Sequence, residues 1–258
     1  MRHLDYKTLT ENIQDWIREY TEKAGSEGIV VGLSGGIDSS VTAALSVRAI
    51  GKNNVLGFSL PCNSMPKDYE DAKLIAEFLD IDFRVVDLSS IYDECKDIFL
   101  PKLQVEKNIK IAKANIKPRL RMVTLYFFGQ AEGNYLIGGT GNRTEIAIGY
   151  FTKYGDGGVD IEPLGTLYKS EVYEVAQILD VPKKIINRAP SAGLWKEQTD
   201  EGEIGITYDE LDEILYRIDS NLSLDELNQK NVKKVKKMLN SSEHKKKMPP
   251  VYKIKQGD

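Results

Sequence analysis

Ser34-Gly35-Gly36-Ile37-Asp38-Ser39-Ser40 is the stretch of this chain best equipped to hold an anion. It follows the apolar run Gly28-Ile29-Val30-Val31-Gly32-Leu33 and leads straight into a helical pattern from Val41 to Ala49. Two glycines let the backbone turn tightly and approach a phosphate, the amides and the helix N-terminus point at it, and the serine hydroxyls add donors. Asp38 has the chemistry of a cation ligand beside that phosphate. A Walker A loop would end in GK[ST], and this one does not, which disfavours a kinase or GTPase. The bland alternative is a Ser/Gly turn that caps an ordinary helix.

Other candidates are weaker on residue type alone. Lys169, after the strand-like Ile161 to Leu167, suits charge neutralisation on phosphates, but residue type alone favours a surface lysine opening a helix over 169–179. Arg119 and Arg121 stand two apart on a helix, so at most one points at a given anion. Asp160 follows a Gly-rich stretch whose backbone could pack against a flat ring, although aspartate after glycine is often a turn residue. His244-Lys245 lies in a Lys-rich tail that reads as a solvated helix or as a lid over an extended ligand. Cys62 is more often a small core residue than a nucleophile.

The elements that must carry these residues alternate. A helix is expected around 5–23, strands at 28–33, 54–59, 83–88 and 134–138, and helices at 38–50 and 68–79. Short apolar strands separated by helices favour a parallel sheet covered on both faces. Between the third and fourth strands lies a long helical stretch in which a helix restarts with Pro118 in its first turn. No repeat or long linker appears, so residues 1–258 are expected to form a single domain, with a Lys-rich helix and tail over 229–258.

Composition narrows the partners. With 258 residues, 41% hydrophobic and 29% charged, the chain can bury a large α/β core. A net charge of -4 gives no global field for nucleic acid, so an anionic substrate must be held by locally placed Lys and Arg. Acidic residues crowd Glu197 to Glu226 with Arg217 as the lone cation there. Cys62 and Cys95 form neither a CxxC nor a zinc cluster, which fits reduced cytosolic thiols. No segment approaches the roughly 18 apolar residues of a membrane span. A soluble, cytoplasmic protein without nucleic-acid or membrane partners is expected.

SGGIDS resembles the pyrophosphate loop of the N-type ATP pyrophosphatases, which adenylate a substrate and release pyrophosphate. Within that class, five further blocks are similar to NAD synthetases: 115–122 (NIKPRLRM), 139–145 (GTGNRTE), 151–160 (FTKYGDGGVD), 190–201 (PSAGLWKEQTDE) and 243–245 (EHK). They come in family order from about residue 10 to 252. The resemblance implies a single-domain α/β fold of the Rossmann-like, adenine nucleotide alpha hydrolase kind, and a ligase that amidates deamido-NAD with ammonia through an acyl-adenylate. It also implies that Gly32, Leu33, Ser34, Gly35, Gly36, Ile37, Asp38 and Ser39 hold ATP phosphates, and that Thr140, Lys169 and Ser191 contact ATP. Asp38 and Glu145 would bind Mg²⁺, and Arg119, Lys153, Asp160, His244 and Lys245 would hold deamido-NAD. Asp38 and Lys169 would be catalytic, with Asp160 one candidate for the proton acceptor that ammonia requires.

Three positions depart from the common pattern: Ser191 where Thr is frequent, Pro118 where a small helix former is usual, and Asn142-Arg143 where some members carry Asp-His. The family further implies a homodimer, with helix Arg119 to Gln130 a plausible interface. The synthetase motifs take up the chain, leaving no room for an amidase domain, so ammonium and not glutamine is the expected nitrogen source. A tRNA-modifying adenylase would need a basic nucleic-acid surface or a catalytic Cys pair, and a catalytically dead binding protein would not need Asp38, Glu145 and Lys169.

Overall fold

The computed structural model describes residues 2–105, 107–190 and 199–253. Four parallel strands, β1 (Gly28–Gly32), β2 (Val55–Ser59), β3 (Asp82–Val85) and β4 (Tyr135–Gly138), form one sheet in the order β3-β2-β1-β4. Ile29 stands opposite Val55 of β2 on one side and Leu136 of β4 on the other. The chain therefore winds outward from β1 to β3 and then returns to the far side of β1. That reversal opens a crevice at the carboxyl ends of β1 and β4, where ligands bind in open α/β sheets.

Helices α1 (Tyr6–Lys23), α2 (Ile37–Ile50), α3 (Pro66–Leu79), α4 (Ser89–Phe99), α5 (Ile109–Ala114), α6 (Ile116–Ala131), α7 (Arg143–Ile148) and α8 (Lys169–Ile178) surround the strands. They are followed by α9 (Lys183–Ile186), α10 (Asp200–Ile204), α11 (Tyr208–Asp219) and α12 (Gln229–Ser242). Strand residues alternate between the two sheet faces. Ile29 and Val31 join the core made with Val41, Leu45, Val172 and Val175, whereas Val30, Phe58 and Ile137 join the opposite one with Leu125 and Phe128. Phe58 stacks on Phe128 with ring centroids 4.8 Å apart. A third apolar cluster, with Ile148, Leu211, Leu215, Val232 and Val235, ties α7, α11 and α12 together. That cluster carries the acidic and basic runs on its outside.

Most expected elements form within a few residues of their sequence bounds, and Pro118 lies in the first turn of α6 as its fixed φ favours. Two differ. The third strand ends at Val85, although Val86 and Leu88 N–H still donate to Ser59 and Pro61 carbonyls at 3.0 and 2.8 Å. The strand-like 161–167 is not a strand: Ile161 makes one isolated bridge to Gly138, and turns follow. Pro163 has no N–H for a ladder, and the Gly165 and Leu167 N–H groups close local turns onto Glu162 and Leu164 carbonyls. Among the described residues no helix is long and apolar enough to cross a membrane.

Candidate active site

The loop after β1 is organised by its own hydroxyls. Ser34 N–H donates to Ser39 Oγ (3.2 Å), and Ser39 Oγ and Ser40 Oγ donate to the Gly36 carbonyl (3.0 and 2.8 Å). Gly35 has φ +74°, and a Cβ there would lie 2.8 Å from both the Asp68 carbonyl oxygen and Asp71 Cβ. Glycine is required on both counts. The loop thus presents the N-terminus of α2 to a cleft of about 430 Å³ at the carboxyl ends of β1 and β4.

Lys169 is the centre of the charge arrangement. Its side chain is only 2% exposed, and Nζ donates to Asp38 Oδ2 at 2.5 Å and Glu145 Oε1 at 3.2 Å. Burial opposes its charge, but Asp38 and Glu145 outweigh that, so the ammonium is held above the ordinary lysine range. Burial pushes the Glu145 carboxyl up, with Asp38 and Asp200 adding to the shift and Lys169 opposing it. Asp38 Oδ1 accepts from Asn142 Nδ2 (2.9 Å), and Asn142 Oδ1 caps α7 by accepting Glu145 N–H (3.0 Å). One fully buried asparagine therefore fixes both carboxylates. The backbone of Lys169 is fixed as well: its N–H donates to Thr144 Oγ1 (3.0 Å), and Ser170 N–H donates to the buried Asp212 (2.8 Å).

A second ring of residues was not foreseen from sequence. Tyr208 Oη lies 3.1 Å from Glu145 Oε1 and 3.1 Å from Asp200 Oδ2, and Lys169 Nζ sits 5.0 Å from the Tyr208 ring centroid. Tyr150 Oη reaches Asp200 (3.1 Å) and Glu203 (2.8 Å). Arg188 donates to the Gly35 carbonyl at 3.3 Å and to the fully buried Asp71 at 2.9 Å, and pairs with Asp68. Asp200 falls within the 190–201 block, and Thr199 and Thr207 cap the helices that carry Asp200 and Tyr208, which are the sequence traces of this shell.

Of the residues expected to bind ATP, all but Gly35 and Ser191 line the cleft. Gly35 stands behind the loop, and Ser191 lies outside the described residues. Glu145 and Lys245 also line it, whereas Arg119, Lys153, Asp160 and His244 do not. Arg119 is exposed and donates to the Lys153 carbonyl (3.4 Å), and Lys153 Nζ donates to the His244 carbonyl (2.7 Å). Asp160 accepts from Tyr126 Oη and Ile137 N–H, both at 2.8 Å, which pins β4 to the following loop. It is Arg121 that faces the cleft, donating to the Leu60 carbonyl at 3.0 Å. Lys245 Nζ donates to the Gly149 and Phe151 carbonyls at 2.7 and 2.9 Å, closing the turn Glu243–Lys245 onto the cleft wall. Cys62 is fully buried beside Leu88, with its thiol pushed up by burial, as a core residue.

A glycine-rich loop at a helix N-terminus, a buried lysine bridging two carboxylates and a switch-point cleft together can hold a phosphate-bearing ligand. The family model of NAD synthase matches residues 9–249. The chain belongs to the NAD synthase family. It is 47% identical over 248 residues to an NH(3)-dependent NAD(+) synthetase of Carboxydothermus hydrogenoformans, covering 96% of this chain and 98% of that protein. Among solved structures, an NMN synthetase from Francisella tularensis superposes with a TM-score of 0.88 at 35% identity, covering 98% of this chain and all of that one. An NH3-dependent NAD synthetase from Campylobacter jejuni, in complex with the nitrate ion, gives 0.81 at 30% identity over 97% of this chain and 100% of that one. The four-stranded parallel sheet and its flanking helices are therefore a fold shared with these two structures.

Proposed function

We propose that this chain is an ammonia-dependent NAD synthetase: it adenylates the carboxylate of deamido-NAD with ATP, then replaces the adenylate with ammonia to give NAD, AMP and pyrophosphate. The observation that carries this reading is the buried Lys169, held between Asp38 and Glu145 at the mouth of the Ser34–Ser39 loop.

A carboxylate is a poor acylating agent because its leaving group would be oxide, so its oxygen must first become part of a phosphate ester. The nicotinate carboxylate attacks the α-phosphorus, and the bond to pyrophosphate breaks. Loop amides and Lys169 meet the charge that develops on the departing pyrophosphate, an arrangement in which one preorganised donor supplies about 3–4 kcal/mol. Ammonia then attacks the acyl-adenylate carbonyl, and AMP leaves.

Two carboxylates and no sulfur or imidazole ligands suit a hard divalent cation that keeps waters and takes phosphate oxygens. Asp38 and Glu145, already converging on one ammonium, would hold Mg²⁺ together with ATP. When bound, the ion supplies neutralisation of phosphate charge. Thr140 would contact ATP from β4's end, and Lys245 is the member of the deamido-NAD set that already faces the cleft. Arg119, Lys153, Asp160 and His244 would complete that subsite in a different arrangement or across a subunit boundary. A homodimer through α6 and its neighbours is supported by exposed Val123, Phe127, Ile98, Phe99 and Ile111 on consecutive helices. A cytoplasmic location fits two cysteines that are free.

Incubation with ATP, Mg²⁺, deamido-NAD and ammonium must yield NAD, AMP and pyrophosphate in equal amounts. A second reading, amidation of nicotinate mononucleotide to NMN, is favoured by the likeness to the Francisella tularensis structure. The same assay run with the mononucleotide decides it: a higher kcat/KM than for deamido-NAD would replace the first reading by the second.

A further inference from the structure

A second cavity, of about 210 Å³, adjoins the main cleft. Thr140, Glu145, Tyr150, Phe151, Asp156 and Lys245 form the shared wall, while Glu162 and Lys246 belong to the side cavity alone. Asp156 and Gly157 on its rim are exposed, so it opens to bulk water. The nucleotide loop does not line this space, and of the Lys169 cluster only Glu145 reaches it, on the shared wall.

Glu162 is built into it from the backbone. Its Oε2 accepts the Gly141 N–H at 3.0 Å. A Cβ on Gly139 would lie 2.4 Å from Oε2, and one on Gly141 would lie 3.2 Å from Oε1. The carboxylate thus rests against a strip without side chains, Gly139 and Gly141, on either side of Thr140. Gly139 and Thr140 also line the main cleft. Thr140, between those two glycines, is the shared-wall residue beside Glu162, so the carboxylate stands next to the boundary between the two cavities.

We infer that the side cavity is the entry port for ammonium and that Glu162 takes its proton. This rests on the amidation reading above. The step balances: NH4⁺ and the Glu162 carboxylate give NH3 and the carboxylic acid, and the acid returns its proton to water through the open rim. NH3 then forms the C–N bond as the C–O bond to AMP breaks, and the second proton leaves the amide nitrogen to solvent or phosphate. Burial pushes Glu162 up to about 8, with Asp156 and Glu145 adding to the shift and the Gly141 N–H opposing it, so the group exchanges protons near neutrality. The facing cations are occupied elsewhere. Lys245 Nζ is fixed on the Gly149 and Phe151 carbonyls, and Lys246 Nζ on the Ala147 carbonyl (3.2 Å) and Glu243 (3.1 Å).

The test compares wild type, Glu162→Gln and Glu162→Asp. Pyrophosphate release from ATP and deamido-NAD without ammonium comes first: if wild type fails there, the amidation reading has failed, not this one. Given that activity, Glu162→Gln must keep pyrophosphate release while kcat/KM for ammonium at pH 7 falls about 100-fold. Glu162→Asp must recover part of the loss. Hydroxylamine, already neutral at pH 7, must form the hydroxamate at the wild-type rate in both variants, and the deficit with ammonium must close as pH rises toward the ammonium pKa. An unchanged ammonium dependence and pH profile in Glu162→Gln overturns the inference. So does an equal loss with ammonium and hydroxylamine, which would make the carboxylate a support for the 139–141 strip alone.

Discussion

Lys169→Met keeps most of the side-chain volume and deletes the charge at the centre of the site. The lysine Nζ lies 2.5 Å from Asp38 and 3.2 Å from Glu145, with 2% of its side chain exposed. Removing one partner of such a buried arrangement costs about 3–5 kcal/mol, because the remaining charges lose their compensation. The lower end applies here: Glu145 is already pushed toward its neutral form and takes up a proton when the lysine is gone. A loss of about 3 kcal/mol from a total of 5–15 leaves a folded protein with Tm lower by roughly 6–12 °C. The catalytic loss is separate and larger in its effect: one donor fewer on the departing pyrophosphate slows adenylation by about 100- to 1,000-fold. Thermal unfolding and pyrophosphate release at saturating ATP measure the two. Asp38→Asn combined with Lys169→Met then separates them, since removing both charges must restore much of the stability and none of the activity. Pyrophosphate release by Lys169→Met within tenfold of wild type would refute the assignment, leaving Lys169 a structural counter-ion.

Asp38→Asn and Glu145→Gln must each lose most adenylation at ordinary Mg²⁺ with an unchanged circular dichroism spectrum, and full pyrophosphate release by either removes that residue from the metal pair. Loss of charge at Arg119 or Lys153 must raise KM for deamido-NAD far more than for ATP, whereas Lys169→Ala must do the reverse; equal effects on both substrates mean wrong subsites. Stability itself must carry the signature of Glu162. Its folded pKa of about 8 lies above the unfolded carboxylate range, so the native state holds the extra proton between about pH 4.3 and 8. Stability must therefore fall as pH rises through that window and level off above it, and Glu162→Gln must flatten the fall in denaturant titrations at several pH values.

The part of the site legible in the sequence is the part that is contiguous. Strand, loop and helix from Gly28 to Ile50 announce themselves because a short unbroken apolar run passes through glycines into a helix-length stretch within one piece of chain. Asp38 and its loop follow from that geometry without further help. The partners of Asp38 do not. Asn142, Lys169 and Tyr208 converge from three later segments, and no local pattern states that convergence; the family resemblance alone named Glu145 and set Lys169 apart from a surface lysine. Asn142 was visible as a departure from the common motif, yet its work depends on Asp38 standing 104 residues earlier.

Where the expected substrate residues stand has the same origin. The helical period of α6 correctly forbids Arg119 and Arg121 from sharing a target, but which one faces inward depends on where α6 lands on the sheet. Packing of Leu125 and Phe128 against Val30 and Phe58 turns Arg121 to the cleft and leaves Arg119 exposed. Asp160 illustrates the opposite case. Its Gly-rich context suggested a ligand platform or a turn residue, and the carboxylate accepts from Ile137 N–H and Tyr126 Oη, where it holds the end of β4. An Asp160→Asn variant retains one acceptor for one of those two donors. Its effect on activity must then pass through the position of Gly139 and Thr140, which follow β4 directly, and must fall on ATP and on the nitrogen nucleophile together rather than on proton transfer alone.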